Sequence, residues 1–156
     1  ACLKKDRFNP RKVLDIGCGT GILGISAYKI FQTKVIASDI DSIAVRIAKM
    51  NIKTNLSELK IPVIKAKGLN HRVLYGKKPF DLILANILSR PLKEMALKMK
   101  ESSEAGGYII LSGLLIRQLN EVESKYFSLG FRRVKVLRIG EWACVIMKNF
   151  CRSKKK

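Results

Sequence analysis

Three glycines, Gly17, Gly19 and Gly21, follow the apolar run Val13–Ile16, and Asp39 stands 22 residues beyond the first of them, after a second apolar run. A short strand that enters alternating glycines, then a helix, then a second strand closed by an acid, is the layout of a nucleoside-bearing cofactor site. Such a site lies at the carboxyl edge of a parallel sheet. The glycines let the chain turn tightly and bring bare backbone against a ligand where a Cβ would collide. Asp39 can accept hydrogen bonds from both hydroxyls of a ribose, each worth roughly 1.5–3 kcal/mol when the acceptor is charged.

Two registers of the glycines give two cofactors. Gly19, Gly21 and Gly24 match G-x-G-x-x-G, with Asp39 20 residues beyond Gly19, the spacing of a dinucleotide fingerprint. That fingerprint starts where the strand ends. Here the strand ends at Gly17, so Gly19 comes two residues late. Read from Gly17, the string Asp15-Ile16-Gly17-Cys18-Gly19-Thr20-Gly21 resembles motif I of the class I S-adenosylmethionine (SAM) methyltransferases. The resemblance implies that Asp15 helps hold the methionine end of the cofactor through the loop. SAM has no pyrophosphate, so a phosphate site at a helix N-terminus is not required. A glycine-rich turn that binds nothing is the remaining reading.

The chain has 156 residues, enough for one α/β domain with a full core. No apolar run approaches the ~20 residues of a membrane span. The start, Ala1 to Arg7, is charged and has no apolar stretch, so no signal peptide is expected, and Ala1 in place of Met suggests a fragment or a processed chain. The cysteines, Cys2, Cys18, Cys144 and Cys151, form no C-x-x-C pair, and His71 is the only histidine. Neither a structural metal site nor a disulfide framework is expected, and free thiols in a reducing cytoplasm are the default. Net charge is +19, from 31 Lys and Arg against 12 Asp and Glu. RNA, DNA or an acidic surface are therefore plausible partners. The lysines are scattered rather than interleaved with aromatics, as solvated helix faces would also have them.

Apolar runs alternate with helical periods. Strands are expected at Val13–Ile16, Val35–Ser38, Val63–Ala66, Asp81–Ala85 and Tyr108–Leu111. Helices are expected over Ile22–Phe31, after Asp41 with Ile43, Ile47 and Met50 inward, from Ser89 with Leu92, Met95, Ala96 and Met99 inward, and from Leu115 to Leu129. Gly106-Gly107 is read as a break and Gly130 as a helix stop. Phe131–Leu137 and Trp142–Met147 read as an antiparallel hairpin about an Arg-Ile-Gly-Glu turn, with a short or missing helix between strands three and four. Right-handed crossovers turn this order into an α/β fold: a doubly wound, mostly parallel seven-stranded sheet ending in an antiparallel hairpin. Residues 1–150 are read as a single domain and 151–156 as a basic tail.

After the fourth strand comes Asn86-Ile87-Leu88, then Arg90-Pro91-Leu92. With Asp39-Ile40-Asp41, Leu111-Ser112-Gly113-Leu114-Leu115 and Glu141-Trp142, this resembles the PrmA family, which methylates large-subunit ribosomal protein eleven. The resemblance covers nearly the whole chain. It implies a SAM-dependent methyltransferase of protein lysine and α-amines, acting on a ribosomal protein in the cytoplasm. It carries over Gly17, Asp39 and Asn86 as cofactor contacts; Asp15, Cys18, Gly19, Gly21, Ile40 and Gly68 are the further residues expected to bind the cofactor, and Asn86 is the expected catalytic residue. Asn86 as a plain turn residue capping the next helix, and His71 as a loop residue near the adenine, are the blander readings. The family carries an N-terminal substrate-recognition domain, and a His- and Thr-rich segment just before the residues matching Cys2-Leu3. Neither is in this sequence, so weakened cofactor binding and substrate selection are expected. An RNA methyltransferase, with weak ribosomal RNA contact through the basic surface, and a cofactor-binding fragment inactive by itself are the alternatives.

Overall fold

The computed structural model describes residues 8–56 and 61–150. Seven strands alternate with five helices: β1 (Lys12–Ile16), α1 (Ile22–Phe31), β2 (Lys34–Asp39), α2 (Ser42–Leu56), β3 (Val63–Lys65), α3 (Arg72–Lys77), β4 (Phe80–Asn86), α4 (Ser89–Ser102), β5 (Ser103–Leu115), α5 (Ile116–Ser128), β6 (Phe131–Ile139) and β7 (Trp142–Asn149). The sheet order is β3-β2-β1-β4-β5-β7-β6. β1 to β5 pair in parallel, and β7 lies antiparallel between β5 and β6. This is the doubly wound sheet with a C-terminal hairpin expected from the sequence. Its winding reverses between β1 and β4, and the carboxyl ends of those strands open a crevice there.

The period-2 alternation of a strand sends successive side chains to opposite faces. Leu14 and Ile16 of β1, Ile83 of β4 and Ile109 and Leu111 of β5 pack beneath Leu92, Ala96 and Met99 of α4 and Leu119, Val122 and Tyr126 of α5. The Tyr126 hydroxyl, deep in this layer, donates to the Leu92 carbonyl at 2.8 Å. Burial pushes its pKa well above the usual phenol range. On the other face, Val13, Val35, Ala37, Val63, Leu82 and Leu84 meet Ile25 of α1 and Ala48 and Ile52 of α2.

Four expectations are corrected. In α2 the inward residues are Val45, Ala48 and Ile52, while Ile43 and Met50 are 57 % and 63 % exposed and Ile47 also faces out. The cause is the close approach of the glycine loop: a Cβ on Gly21 would lie 3.3 Å from the Ala48 Cβ, so only a small α2 residue fits there. Gly106-Gly107 does not end a region but lies within β5. The strand pairs Ser103 with Phe80 and Tyr108 with Leu82, and the residues between bulge out. α5 starts at Ile116, with Leu115 closing β5. The hairpin is tighter than read, since Ile139 still pairs with Trp142 and only Gly140-Glu141 make the turn. The short helix between β3 and β4 is present as α3, and the His71 Nδ1 accepts the Val73 amide at 3.2 Å to cap it.

Candidate functional site

A cleft of about 490 Å³ opens at the carboxyl ends of β1, β2 and β3 and runs along α4. Ile16 and Gly17 from β1, Asp39 and Ile40 from β2, the turn of residues 66–70 and Ile87 after β4 line it. Pro91, Glu94, Met95 and Lys98 of α4 form its far wall. A larger hollow of about 590 Å³ lies elsewhere, between α5 and β6, with Phe127, Arg132 and Arg133 among its walls. The cleft, not that hollow, sits at the switch point where doubly wound sheets hold ligands.

Each wall follows from local chain chemistry. Gly17 (φ +66) turns the chain out of β1, and its amide and that of Cys18 donate to the Ser38 carbonyl at 2.8 and 3.0 Å. A Cβ on Gly17 would come 2.3 Å from Ile87 Cγ2, so this wall must be bare backbone. Asp39 ties the loop down from β2: its Oδ2 accepts the Gly19 amide at 2.9 Å and its Oδ1 the Asp41 amide at 3.0 Å. The Asp39 carbonyl in turn accepts the Ala66 amide at 2.8 Å and so fixes the third wall. Asn70 pairs back onto Lys67, and the Lys98 ammonium donates to Asn70 Oδ1 across the cleft rim.

The structure brings Gly17, Asp39, Ile40 and Gly68 together in this cleft. Asp15, Cys18, Gly19, Gly21 and Asn86 are not among its lining residues. Asp15 lies wholly inside the protein beneath the loop, where its Oδ2 accepts the Gly24 amide at 2.8 Å and anchors the start of α1. Its Oδ1 is buried without a hydrogen-bond partner among the described residues. Burial raises the Asp15 pKa from 3.8 to about 6, with the Gly24 amide lowering it and the Asp39 charge raising it further. Cys18 is buried as well. Its thiol is pushed up to about 12, first by burial and then by the charges of Asp15 and Asp39, which leaves no reactive thiolate at neutral pH. Asn86 stands exposed at the end of β4, level with Ser112 of β5. Sequence reading missed Ile87, Asn70, Met95 and Lys98. Ile87 carried a signal, because it adjoins Asn86, but the α4 residues read only as a helix face.

The family model for ribosomal protein L11 methyltransferase (PrmA) matches residues 2–150. The chain belongs to the PrmA family. A ribosomal protein L11 methyltransferase from Mesorhizobium japonicum is 39 % identical over 143 residues, 92 % of this chain and 49 % of that protein. One from Caulobacter is 41 % identical over 139 residues, covering 89 % and 48 %. The chain thus spans about half the length of these PrmA relatives. The crystal structure of a ribosomal protein L11 methylase from Lactobacillus delbrueckii subsp. bulgaricus superposes with a TM-score of 0.85 at 27 % identity, over 94 % of this chain and 74 % of that one.

Proposed function

We propose that this chain is the SAM-binding catalytic domain of a PrmA-type methyltransferase that modifies lysine and N-terminal amines of ribosomal protein L11. The observation that carries this reading is the family match over residues 2–150, combined with an acid-closed cleft at the switch point. The residues fit the cofactor. An ionised carboxylate offers about four lone-pair positions. Asp39 uses two of them on backbone amides and keeps acceptor capacity for a ribose. Gly17 presents bare backbone, and about 490 Å³ is an ordinary volume for a cofactor pocket. Gly17, Asp39, Ile40 and Gly68 would hold the ligand directly, while Asp15, Cys18, Gly19 and Gly21 shape the loop behind it.

When bound, SAM supplies an electrophilic methyl group on a sulfonium. The chain contributes alignment and exclusion of water. An attacking amine must arrive without its proton, and apolar walls such as Ile87 and Met95 favour the neutral form by desolvation. Asn86, at the end of β4, is suited to orient that amine through its carboxamide. No side chain in the cleft is required as a base, since solvent can take the proton.

Substrate capture by other parts of a longer polypeptide belongs to the same proposal, because the curated relatives are about twice as long. The cytoplasm, where ribosomal proteins are made, is the proposed location. No helix among the described residues is long and apolar enough to cross a membrane. The net charge of +19 favours a second reading, an RNA methyltransferase or weak ribosomal RNA contact. Labelled SAM offered with ribosomal protein L11 and, separately, naked ribosomal RNA tests both. Label in the protein is expected, more of it when the remainder of a PrmA relative is supplied. Strong transfer to RNA alone would overturn the protein substrate, and bound SAM with no transfer to either would favour a cofactor-binding module.

A further inference from the structure

Gly113 lies in β5 where pairing with β7 slips register between Leu111 and Leu114, and its φ is +77. It does not line the cleft. A Cβ built on it would lie 2.9 Å from the Ile87 carbonyl oxygen, 3.0 Å from Asn86 Oδ1 and 3.2 Å from the Ile87 amide nitrogen. Two of those three are backbone atoms, which cannot swing aside like the end of a flexible side chain. The same Ile87 is met from the cofactor side by Gly17, whose Cβ would collide with Ile87 Cγ2. Asn86-Ile87 therefore lies between two positive-φ glycines: Gly17 on the glycine loop, whose Cβ would press on the Ile87 side chain, and Gly113 on β5, whose Cβ would press on the Ile87 backbone.

We propose that Gly113 is a positioning residue for the reaction: the empty space at its Cα fixes where the Asn86 carboxamide stands beside the cleft. This rests on the reading of Asn86 as the group that meets the incoming amine. A β-bulge commonly re-aims a side chain next to an active site, and here the bulged residue clears the room its neighbour occupies. A positive φ alone would also demand glycine, but the molecule contains its own control. Gly106 lies on the same strand with φ +78 and has nothing among the described residues within 4 Å of a Cβ. Alanine at either site meets the same left-handed backbone cost, and only at 113 does it meet Asn86 and Ile87.

The test compares Gly113→Ala with Gly106→Ala in the 156-residue chain. The readouts are the amide NMR signals of Asn86 and Ile87, calorimetric affinity for S-adenosylhomocysteine, and methyl transfer to ribosomal protein L11. Gly113→Ala should move the Asn86 carboxamide and Ile87 amide signals, and Gly106→Ala should leave them in place. Turnover should fall by about ten- to a hundredfold in Gly113→Ala alone, with the KM for protein little changed. In an Asn86→Gly background the share of the loss that acts through the carboxamide should vanish while the contact with the Ile87 backbone remains, so the two losses should combine to clearly less than their sum. Unmoved Asn86 signals, an equal turnover loss from Gly106→Ala, or full additivity would each overturn the proposal. Where Gly113→Ala does not fold, the parent decides: a missing nuclear Overhauser contact between the Gly113 α-protons and the Ile87 backbone amide proton, whose nitrogen lies 3.2 Å from the Cβ position, overturns it, and its presence supports it. A parent that neither binds S-adenosylhomocysteine nor transfers methyl would sink the functional reading, while the signal comparison would still decide the role of Gly113.

Discussion

Two carboxylates sit at the glycine loop and do opposite work. Asp39 lines the cleft and holds the Gly19 and Asp41 amides, so it serves the fold as well as any ligand. If Asp39 holds both ribose hydroxyls as proposed, Asp39→Ala should weaken SAM by roughly 3–6 kcal/mol, and it should also cost the ligand-free protein about 1–3 kcal/mol. Calorimetry and urea unfolding on the same variant measure both, and unchanged stability would show that the two amides find water instead. Asp15 is different, being sealed beneath the loop with one oxygen unpartnered among the described residues. Its folded pKa, about 6, lies above the ordinary 3.8. Between these values the folded state binds the extra proton. The stabilisation is therefore complete below the unfolded pKa and is lost as pH rises through the folded one. Asp15→Asn keeps an acceptor for the Gly24 amide and cannot ionise. Its stability relative to the parent should rise by about 2 kcal/mol between pH 4.5 and pH 7. Parallel pH profiles from urea unfolding would mean that Asp15 stays ionised in the folded protein.

Helix α2 presents two apolar stripes at helical spacing, Ile43-Ile47-Met50 and Val45-Ala48-Ile52, and periodicity by itself cannot choose between them. The larger side chains suggest the first, and the fold buries the second. What decides is a tertiary contact, Gly21 against Ala48, together with the Asn51 side chain donating to the Thr20 carbonyl at 2.9 Å. Met50→Gln should then change stability by no more than about 0.5 kcal/mol, whereas Ile52→Ala should cost about 2–5 kcal/mol. Chemical denaturation separates them, and the reverse order would restore the first stripe. Elements set by local signals were legible: the glycine turn after β1, the near-continuous apolar β4, the Gly130 stop after α5 and the terminal hairpin. Elements set by neighbours were not. The extent of β5 depends on a bulge opposite β4, since Gly106-Gly107 are local breakers that sheet pairing overrides. The site divides in the same way. Gly17, Asp39, Ile40 and Gly68 reach the cleft because they follow strand ends. Met95 and Lys98 reach it only through the packing of α4, which no spacing within the sequence reveals.

At the scale of the whole molecule, the open choice was between SAM and a dinucleotide, and the assembled fold bears on it through charge as well as shape. β1 ends at Ile16 and α1 begins only at Ile22, so the first glycine of the dinucleotide pattern falls past the strand end, not on it. The chain carries a net charge of +19. Non-specific attraction would therefore favour the anionic dinucleotide NAD over SAM, whose sulfonium and ammonium outweigh its carboxylate. Shape and long-range electrostatics thus predict opposite orders of stabilisation. A ligand that binds only the folded form adds RT ln(1 + [L]/Kd), about 2.7 kcal/mol at a hundredfold excess over Kd. For a domain of this size that is a rise in Tm of about 5–10 °C. SAM or S-adenosylhomocysteine should produce it at 0.15 M salt, where charges more than ~8 Å apart are screened. NAD should produce little, and whatever it does produce should fade as salt is raised. A thermal melt with each ligand at low and high salt gives the answer. A salt-resistant shift with NAD equal to that with SAM would overturn the SAM reading, because it would mean that the cleft recognises a nucleoside and nothing beyond it.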